Sequence, residues 1–422
     1  MLTSLKSLSE LAEFDIVIVG AGMVGASAAI GLKQLGLRVL LLDAFAFSEA
    51  VPAYTPSYDE RSTALSWGTK EILEVLSVWQ EVGQKACPIS EVHVSEKHRF
   101  ATARIHAQDY QQDALGYVVP NQWLGRCLLS RVQALDVPLI AGVKVTHIEV
   151  GSPLQLTLQS TSDADELRKL KTRLLIIADG SESETARLLG IEYHVEAYQQ
   201  HAIIANVTTE LANQGRAFER FTATGPLAFL PLTEHECAIV WTQPQEDVDA
   251  HMAMSDEAFC RALEDSFGER LGRIEHCGQR ANYPLKLIQA KEHCRAGVLL
   301  LGNAAHGLHP VAGQGFNLAI RGVAACVDNI AHCLSSGKAF EHLDNLHQLC
   351  QKRQLDQSKT IVFSDQLVKI FGHPSRMLGV LRELGLVGLD NTPFLKSLFA
   401  ARAMGLAEPK AAITHAGEYH DR

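Results

Sequence analysis

The chain has 422 residues, 47% of them hydrophobic, and its 48 acidic against 38 basic side chains give a formal net charge of -10. Those figures describe a soluble globular protein with room for about two or three domains, and the acidic excess argues against a general nucleic-acid binder. Any phosphate-bearing ligand must then be held by local backbone donors rather than by a global field. The nine cysteines contain no Cys-x-x-Cys pair and read as reduced, mostly buried thiols of a cytoplasmic protein. The uncharged run from Ile16 to Leu32 carries glycines at 20, 22, 25 and 31 and follows Glu10, Glu13 and Asp15, so it is not a membrane anchor. Any membrane contact is therefore expected to be peripheral.

Taken in order, Phe14 to Val19 is a β-branched strand, Gly20-Ala21-Gly22-Met23-Val24-Gly25 a turn, Ala26 to Leu35 a helix, and Arg38 to Leu42 a second strand that ends at Asp43. This is the Gly-x-Gly-x-x-Gly fingerprint of dinucleotide binding in its required strand-turn-helix-strand context. Gly20, Ala21, Gly22 and Gly25 then approach a pyrophosphate, and Asp43 accepts from an adenosine ribose hydroxyl. The motif alone does not separate NAD from FAD. Tyr58 to Ser66 reads as a polar loop leading into a helix that reaches about Val82. Short strands are expected over Val92 to Leu115, with a helix over Gln122 to Leu135. A hairpin follows over Val143 to Val150 and Leu154 to Gln159, and then a buried strand over Arg173 to Ala178.

From His201 to Asn282 the pattern is one of strands, Ala202 to Val207, Ala228 to Leu232 and Ala238 to Thr242. A helix over Ser255 to Phe267 follows, with Ser255 as its N-terminal cap. Gly297 to Leu301 is a short strand that delivers the chain to Gly302-Asn303-Ala304-Ala305-His306-Gly307-Leu308-His309-Pro310-Val311-Ala312-Gly313-Gln314-Gly315-Phe316-Asn317, and a helix leaves it. Gly302, Gly313 and Gly315 allow a backbone to approach a ligand closely, Pro310 stiffens the loop, and the N–H groups from Gly313 through Gln314 to Asn317 suit an electron-rich group. His306 and His309 have His-x-x-His spacing but no third ligand nearby, so no metal site is expected. No Gly-x-Ser-x-Gly elbow suggests a hydrolase.

The two glycine motifs together resemble the FAD-dependent aromatic hydroxylases, the single-component flavoprotein monooxygenases. Within them the resemblance extends over most of the chain to the ubiquinone-biosynthesis branch, through Val92 to Ser95, Ile203 to Val207, Gly215 to Thr222, Gly225 to Ala228, Ser255 to Ile274 and Tyr283 to Leu285. It implies an α/β fold: a Rossmann-like FAD-binding domain, a mostly antiparallel sheet as substrate domain, and C-terminal helices. The expected boundaries are 1–90, 115–185 and 290–345 for the first, 91–114 and 186–289 for the second, and 346–422 for the third.

It also places Arg61 near the cofactor phosphates and flavin, Asp179-Gly180 near the cofactor, and Gly302 to Asn317 around the ribityl chain and flavin ring. Asn303 stands where the wider family has an acid, a loss of about 1 kcal/mol in cofactor binding that an amide acceptor partly offsets. Gly322 stands where relatives commonly carry Asp. In the helix over Gln122 to Leu135, Gly125-Arg126 replaces a cofactor-touching glutamine, so no binding residue is carried over from there.

The implied reaction is hydroxylation of a polyprenylated phenol, 2-polyprenyl-6-methoxyphenol, to the 1,4-benzoquinol through a flavin C4a-hydroperoxide. Reduction comes from NAD(P)H or a protein donor, and the oxygen from O2. His309 is the candidate proton acceptor. Phe363, Leu367, Phe371, Leu378, Leu381 and Leu384 line a route for the prenyl tail or form a helical packing face. Implied partners are other ubiquinone-biosynthesis proteins and the membrane surface. The alternatives are a sister ring hydroxylase of the same pathway, another flavin oxidoreductase acting on a small aromatic, and a non-catalytic escort.

Overall fold

The computed structural model describes residues 5–9, 11–46, 61–307, 313–372 and 392, with side chains of the last helix through Val362. Three sheets organise the described residues. The first is parallel at its centre. Ala12–Val19 lies between Leu167–Ile177 and Val39–Asp43, and Val298–Leu300 and Leu139–Ala141 flank them, all in parallel register. Such strands are buried on both faces, which is why Ile16, Val17, Ile18, Leu40, Leu41 and Leu42 are apolar without alternation. The expected hairpin is present as Val143–Glu149 and Leu154–Ser160, and it joins this sheet antiparallel to Leu167–Ile177.

The second sheet has nine strands, in the order His306–Gly307, Ala281–Ala290, Tyr193–Thr209, Glu236–Pro244, Gly225–Pro231, Arg216–Thr222, Glu91–Glu96 and Thr102–His106, with Ile274–Cys277 paired to Tyr193–Thr209. Every pairing is antiparallel except that of Arg216–Thr222 with Glu91–Glu96. One face packs Ile203, Phe218, Phe229 and Trp241 against Phe259 and Phe267 of the helix Asp256–Phe267. Ser255 caps that helix as expected, accepting from the Ala258 N–H at 3.3 Å. The other face carries the alternate residues, among them Tyr283.

The third sheet is small and corrects the sequence reading. Ser62–Ser66 is not a loop but a strand, antiparallel to Gly116–Pro120, which also pairs with Cys87–Ile89. The expected continuous helix to Val82 is also broken. Trp67–Val75 ends where Ser77 turns to φ +58°, and Trp79–Val82 is a separate short helix. Tyr58 to Glu60 lie outside the described residues.

The helix Met23–Gln34 and the late helix Gln314–Ser335 pack side by side. A Cβ on Gly31 of the first would sit 2.8 Å from Val327 of the second, so the glycine permits the contact. The last described helix, Leu343–Gly372, packs on Gln314–Ser335 and reaches the strands Arg216–Thr222 and Gly225–Pro231 of the second sheet. No helix among the described residues is long and apolar enough to cross a membrane.

Candidate active site

Where Ala12–Val19 ends, Gly20 turns to φ +101°, and a Cβ there would lie 2.4 Å from the Ala178 carbonyl oxygen. A Cβ on Gly25 would lie 1.8 Å from the Gly20 carbonyl oxygen, so only glycine lets the helix start this close to the strand. That helix begins at Gly22 with no side-chain cap, which leaves its first N–H groups aimed outward. Asp43 holds the loop shut: Oδ2 accepts from the Ala21 N–H at 2.7 Å and Oδ1 from the Phe45 N–H at 2.8 Å. A carboxylate keeps further lone pairs, so contact with a ribose stays open to it, but its first task here is to fix the fingerprint turn.

Asp179 sits at the end of the neighbouring strand and accepts from the Thr185 N–H at 3.4 Å. Burial pushes both carboxyls above the usual range. Backbone donors from Phe45 and Ala21 oppose this at Asp43, as Ser183 and Thr185 do at Asp179, and the Asp179 charge raises Asp43 further. The two acids therefore sense one another across the strand ends. Gly180, at φ +101°, has open space where a side chain would be.

The late loop comes to the same place. Gly302, at φ +60°, would put a Cβ 3.0 Å from Val24, one residue into the fingerprint helix. Asn303 is exposed on the single 3-10 turn Gly302–Ala304, and the Tyr193 hydroxyl anchors that turn by donating to the Ala304 carbonyl at 2.9 Å. Leu308 to Ala312, including His309 and Pro310, lie outside the described residues. The helix resumes from Gly313, at φ +61°, again without a side-chain cap, and Gly315 has open space beside it. Gln314 is buried.

Asn317 is a scaffold rather than a side-chain ligand. Its Oδ1 accepts from the Ser66 N–H at 2.9 Å and the Thr69 hydroxyl at 2.8 Å, and its Nδ2 donates to the Ala64 carbonyl at 2.9 Å and the Gly313 carbonyl at 2.8 Å. All four hydrogen-bonding positions of the amide are in use. A direct side-chain contact with a cofactor is thereby replaced by a role in fixing the helix start to the strand Ser62–Ser66. Arg61, next to that strand, is half-buried rather than solvated, and it lies over the Tyr283 ring at 4.6 Å, which joins this region to the second sheet.

A family model described as "FAD binding domain" matches residues 13–355. Ubiquinone hydroxylase UbiL of Rhodospirillum rubrum is 30% identical over 392 residues, covering 93% of this chain and 89% of that protein. The chain belongs to the FAD-dependent ubiquinone hydroxylase family of monooxygenases. The 3-demethoxyubiquinol 3-hydroxylase of Escherichia coli is likewise 30% identical, over 93% of this chain and 98% of that protein. Among solved structures, p-nitrophenol 4-monooxygenase PnpA from Pseudomonas putida shares the fold, with a TM-score of 0.76 at 15% identity over 94% of this chain and 99% of that one.

The geometry of this hydroxylase fits the cofactor its family binds. Two helix starts that no side chain closes lie at Gly22 and Gly313, their helices pack side by side, Gly302 comes against Val24 of the first, and glycines leave open space at 180 and 315. The first start suits a pyrophosphate, and the second suits the carbonyl-rich edge of a flavin.

Two features were not legible in the sequence. His306 is buried, and neither ring nitrogen has a hydrogen-bond partner among the described residues. Burial, then Arg353, His293 and Arg321, push its pKa down to about 3, so it is neutral and poorly suited to a metal-free charged role. No cluster of metal-ligating side chains occurs among the described residues. Gly322 packs against a buried cation. A Cβ on Gly322 would fall 2.4 Å from Nη1 of buried Arg353, which donates to the Leu318 carbonyl at 3.1 Å, while Arg321 forms a two-pronged pair with Asp356 at 3.0 Å. The guanidinium occupies the space that a side chain at 322 would need.

Proposed function

We propose that this enzyme hydroxylates the ring of a polyprenylated phenol in ubiquinone biosynthesis, taking 2-polyprenyl-6-methoxyphenol to the 1,4-benzoquinol. The observation that supports the reading is the close approach of Gly302 to Val24 in the fingerprint helix, together with the uncapped start at Gly313, which Asn317 ties to the strand Ser62–Ser66, next to Arg61 over Tyr283 of the second sheet. Bound FAD supplies the redox chemistry, with electrons from NAD(P)H or a protein donor and oxygen from O2.

The protein's part is to hold and orient. N–H groups of Gly20 to Val24 and of Gly313 to Asn317 favour negative charge at the two ends of the cofactor. Asp43 and Asn317 fix those two turns from behind, and the second sheet excludes water from the ring. A prenyl tail calls for an apolar route or access from a bilayer. The residues suggested for that route, Phe363 to Leu384, lie outside the described side chains, and peripheral membrane contact is part of this proposal.

A second reading, a sister ring hydroxylase with a different position of attack, is favoured by the near full-length match to a 3-demethoxyubiquinol 3-hydroxylase. Deleting the gene and identifying the accumulating quinone precursor by mass spectrometry separates the two. A 2-polyprenyl-6-methoxyphenol supports the first reading, and a later methoxyquinol supports the second. Normal ubiquinone with no accumulating precursor overturns both.

A further inference from the structure

The strand Arg216–Thr222 alternates between the two faces of the second sheet. Phe218 packs edge-on to Phe267 at 5.3 Å, and Arg220 donates to the Ser266 carbonyl at 3.2 Å and to Ser95 Oγ at 3.3 Å, so both point toward the helix Asp256–Phe267. Glu219 between them therefore points to the opposite face. The pairing register extends that face. Glu219 lies between Val94 and Ala228, Ala228 opposes Val240, Val240 opposes Ile204, and Ile204 opposes Ala281. One row along the same face stands Tyr283, under Arg61 of the cofactor-binding side.

Glu219 is thus on the face of the sheet that carries Tyr283, opposite the helix Asp256–Phe267. Among the described residues it makes no hydrogen bond and no ion pair, and burial pushes its carboxyl up to about 7. The residue as a whole is half-buried, so part of it reaches open space. Among the described residues the other charged groups that the register puts on this face stand apart from it: Glu96, one row along on the neighbouring strand, Glu236 near the end of Glu236–Pro244, and Arg61, on the far side beside Tyr283; the last helix, Leu343–Gly372, also reaches this strand. A carboxyl without partners in the interior needs an explanation, because burial without a hydrogen bond is costly and structural acids avoid it. Its setting instead matches the working range of a general base near neutral pH.

We propose that Glu219 is the base that takes the proton of the substrate's phenolic hydroxyl. The inference rests on the reading of the substrate as a phenol. The phenol O–H bond breaks, its electron pair stays on oxygen, and the proton forms the O–H bond of the Glu219 carboxylic acid. The ring, now a phenolate, is the stronger nucleophile at the carbon para to that oxygen. Once a hydroxyl stands on that carbon, Glu219 returns its proton to the dienone oxygen as the carbon's own proton leaves to water, which restores both the aromatic ring and the carboxylate.

The test uses the full-length FAD-loaded protein with 2-methoxy-6-methylphenol as probe, following the bound probe by ultraviolet difference spectroscopy across pH. The wild-type protein should bind it as phenolate at pH values where the free compound is still a phenol. Glu219→Gln should bind the probe but hold it un-ionised, with oxygenation about 100-fold slower, and Glu219→Asp should recover part of both. A Glu219→Gln protein with full FAD content that ionises the probe like wild type overturns the assignment and leaves the phenol reading intact. Wild type that binds no phenol at all overturns that reading and the inference with it. Should the variant fail to fold, wild type decides alone: a bound probe that stays a phenol up to the pKa of the free compound contradicts the proposal.

Discussion

The parallel sheet and the antiparallel sheet build their shares of the site by different means. On the parallel side the geometry is set by what is missing. Gly20, Gly25 and Gly302 lack side chains where a Cβ would meet Ala178, the Gly20 carbonyl and Val24, and two helices start without caps. Backbone N–H groups are what this side offers a cofactor, and side chains such as Asp43 and Asn317 brace the turns from behind. On the antiparallel side the geometry is set by what one face presents, Tyr283 near the cofactor-binding region and Glu219 within the sheet. The first side thus depends on backbone conformation, and the second on which groups one face presents.

The sharpest break comes at Gly25. A Cβ 1.8 Å from the Gly20 carbonyl oxygen cannot be relieved by a side-chain rotation, so Gly25→Ala should weaken FAD binding by about 100-fold, a cost of roughly 3 kcal/mol. The ratio of flavin to protein absorbance in the purified variant reads this directly, and a normal ratio would contradict the close approach. Next is Asn317→Ala, which removes four hydrogen bonds and leaves the buried Ser66 N–H without its acceptor. The expected loss is about 2–3 kcal/mol of stability, seen as a lower thermal midpoint. FAD affinity should fall with it, because the helix start is no longer fixed.

On the antiparallel side, Glu219 sharpens the contrast through pH. Its carboxyl is raised from 4.5 to about 7 on folding, so the folded state keeps a proton that the unfolded state has lost. Stability is therefore full below about 4.5 and declines as pH rises toward 7. Glu219→Gln should be more stable than wild type at pH 8, on the order of 2 kcal/mol after allowing for its partial solvent access, and equal to it at pH 4. Denaturant unfolding at the two pH values checks the sign. The smallest effect belongs to Ser255→Ala. Losing that helix cap should cost about 1 kcal/mol of stability while FAD content stays at the wild-type level, since the helix Asp256–Phe267 lies on the face turned away from the site.

The two regions also differ in how far they could be read from sequence. The fingerprint was legible because unalternating apolar strands, glycines and a terminal acid occur together only where a backbone must come close to a ligand. The cap at Ser255 was legible because Asp256 and Glu257 follow it. The strand Ser62–Ser66 was not, since three of its five residues are Ser or Thr, and its place depends on pairing with Gly116–Pro120, fifty or more residues away. Glu219 was hidden for a related reason. A lone acid flanked by Phe218, Arg220 and Phe221 carries no clear two-residue alternation, and only the register with Val94 and Ala228 shows that it faces inward. Arg353 beside Gly322 was hidden likewise, because the partners are thirty-one positions apart and meet only when two helices pack.

The most direct measurement is the crystal structure of the protein soaked or grown with FAD. The expected arrangement has the pyrophosphate at the N–H groups of Gly20 to Val24 and the isoalloxazine against Gly313 to Asn317, with Gly302 between them. FAD bound with either end held by other segments would contradict it.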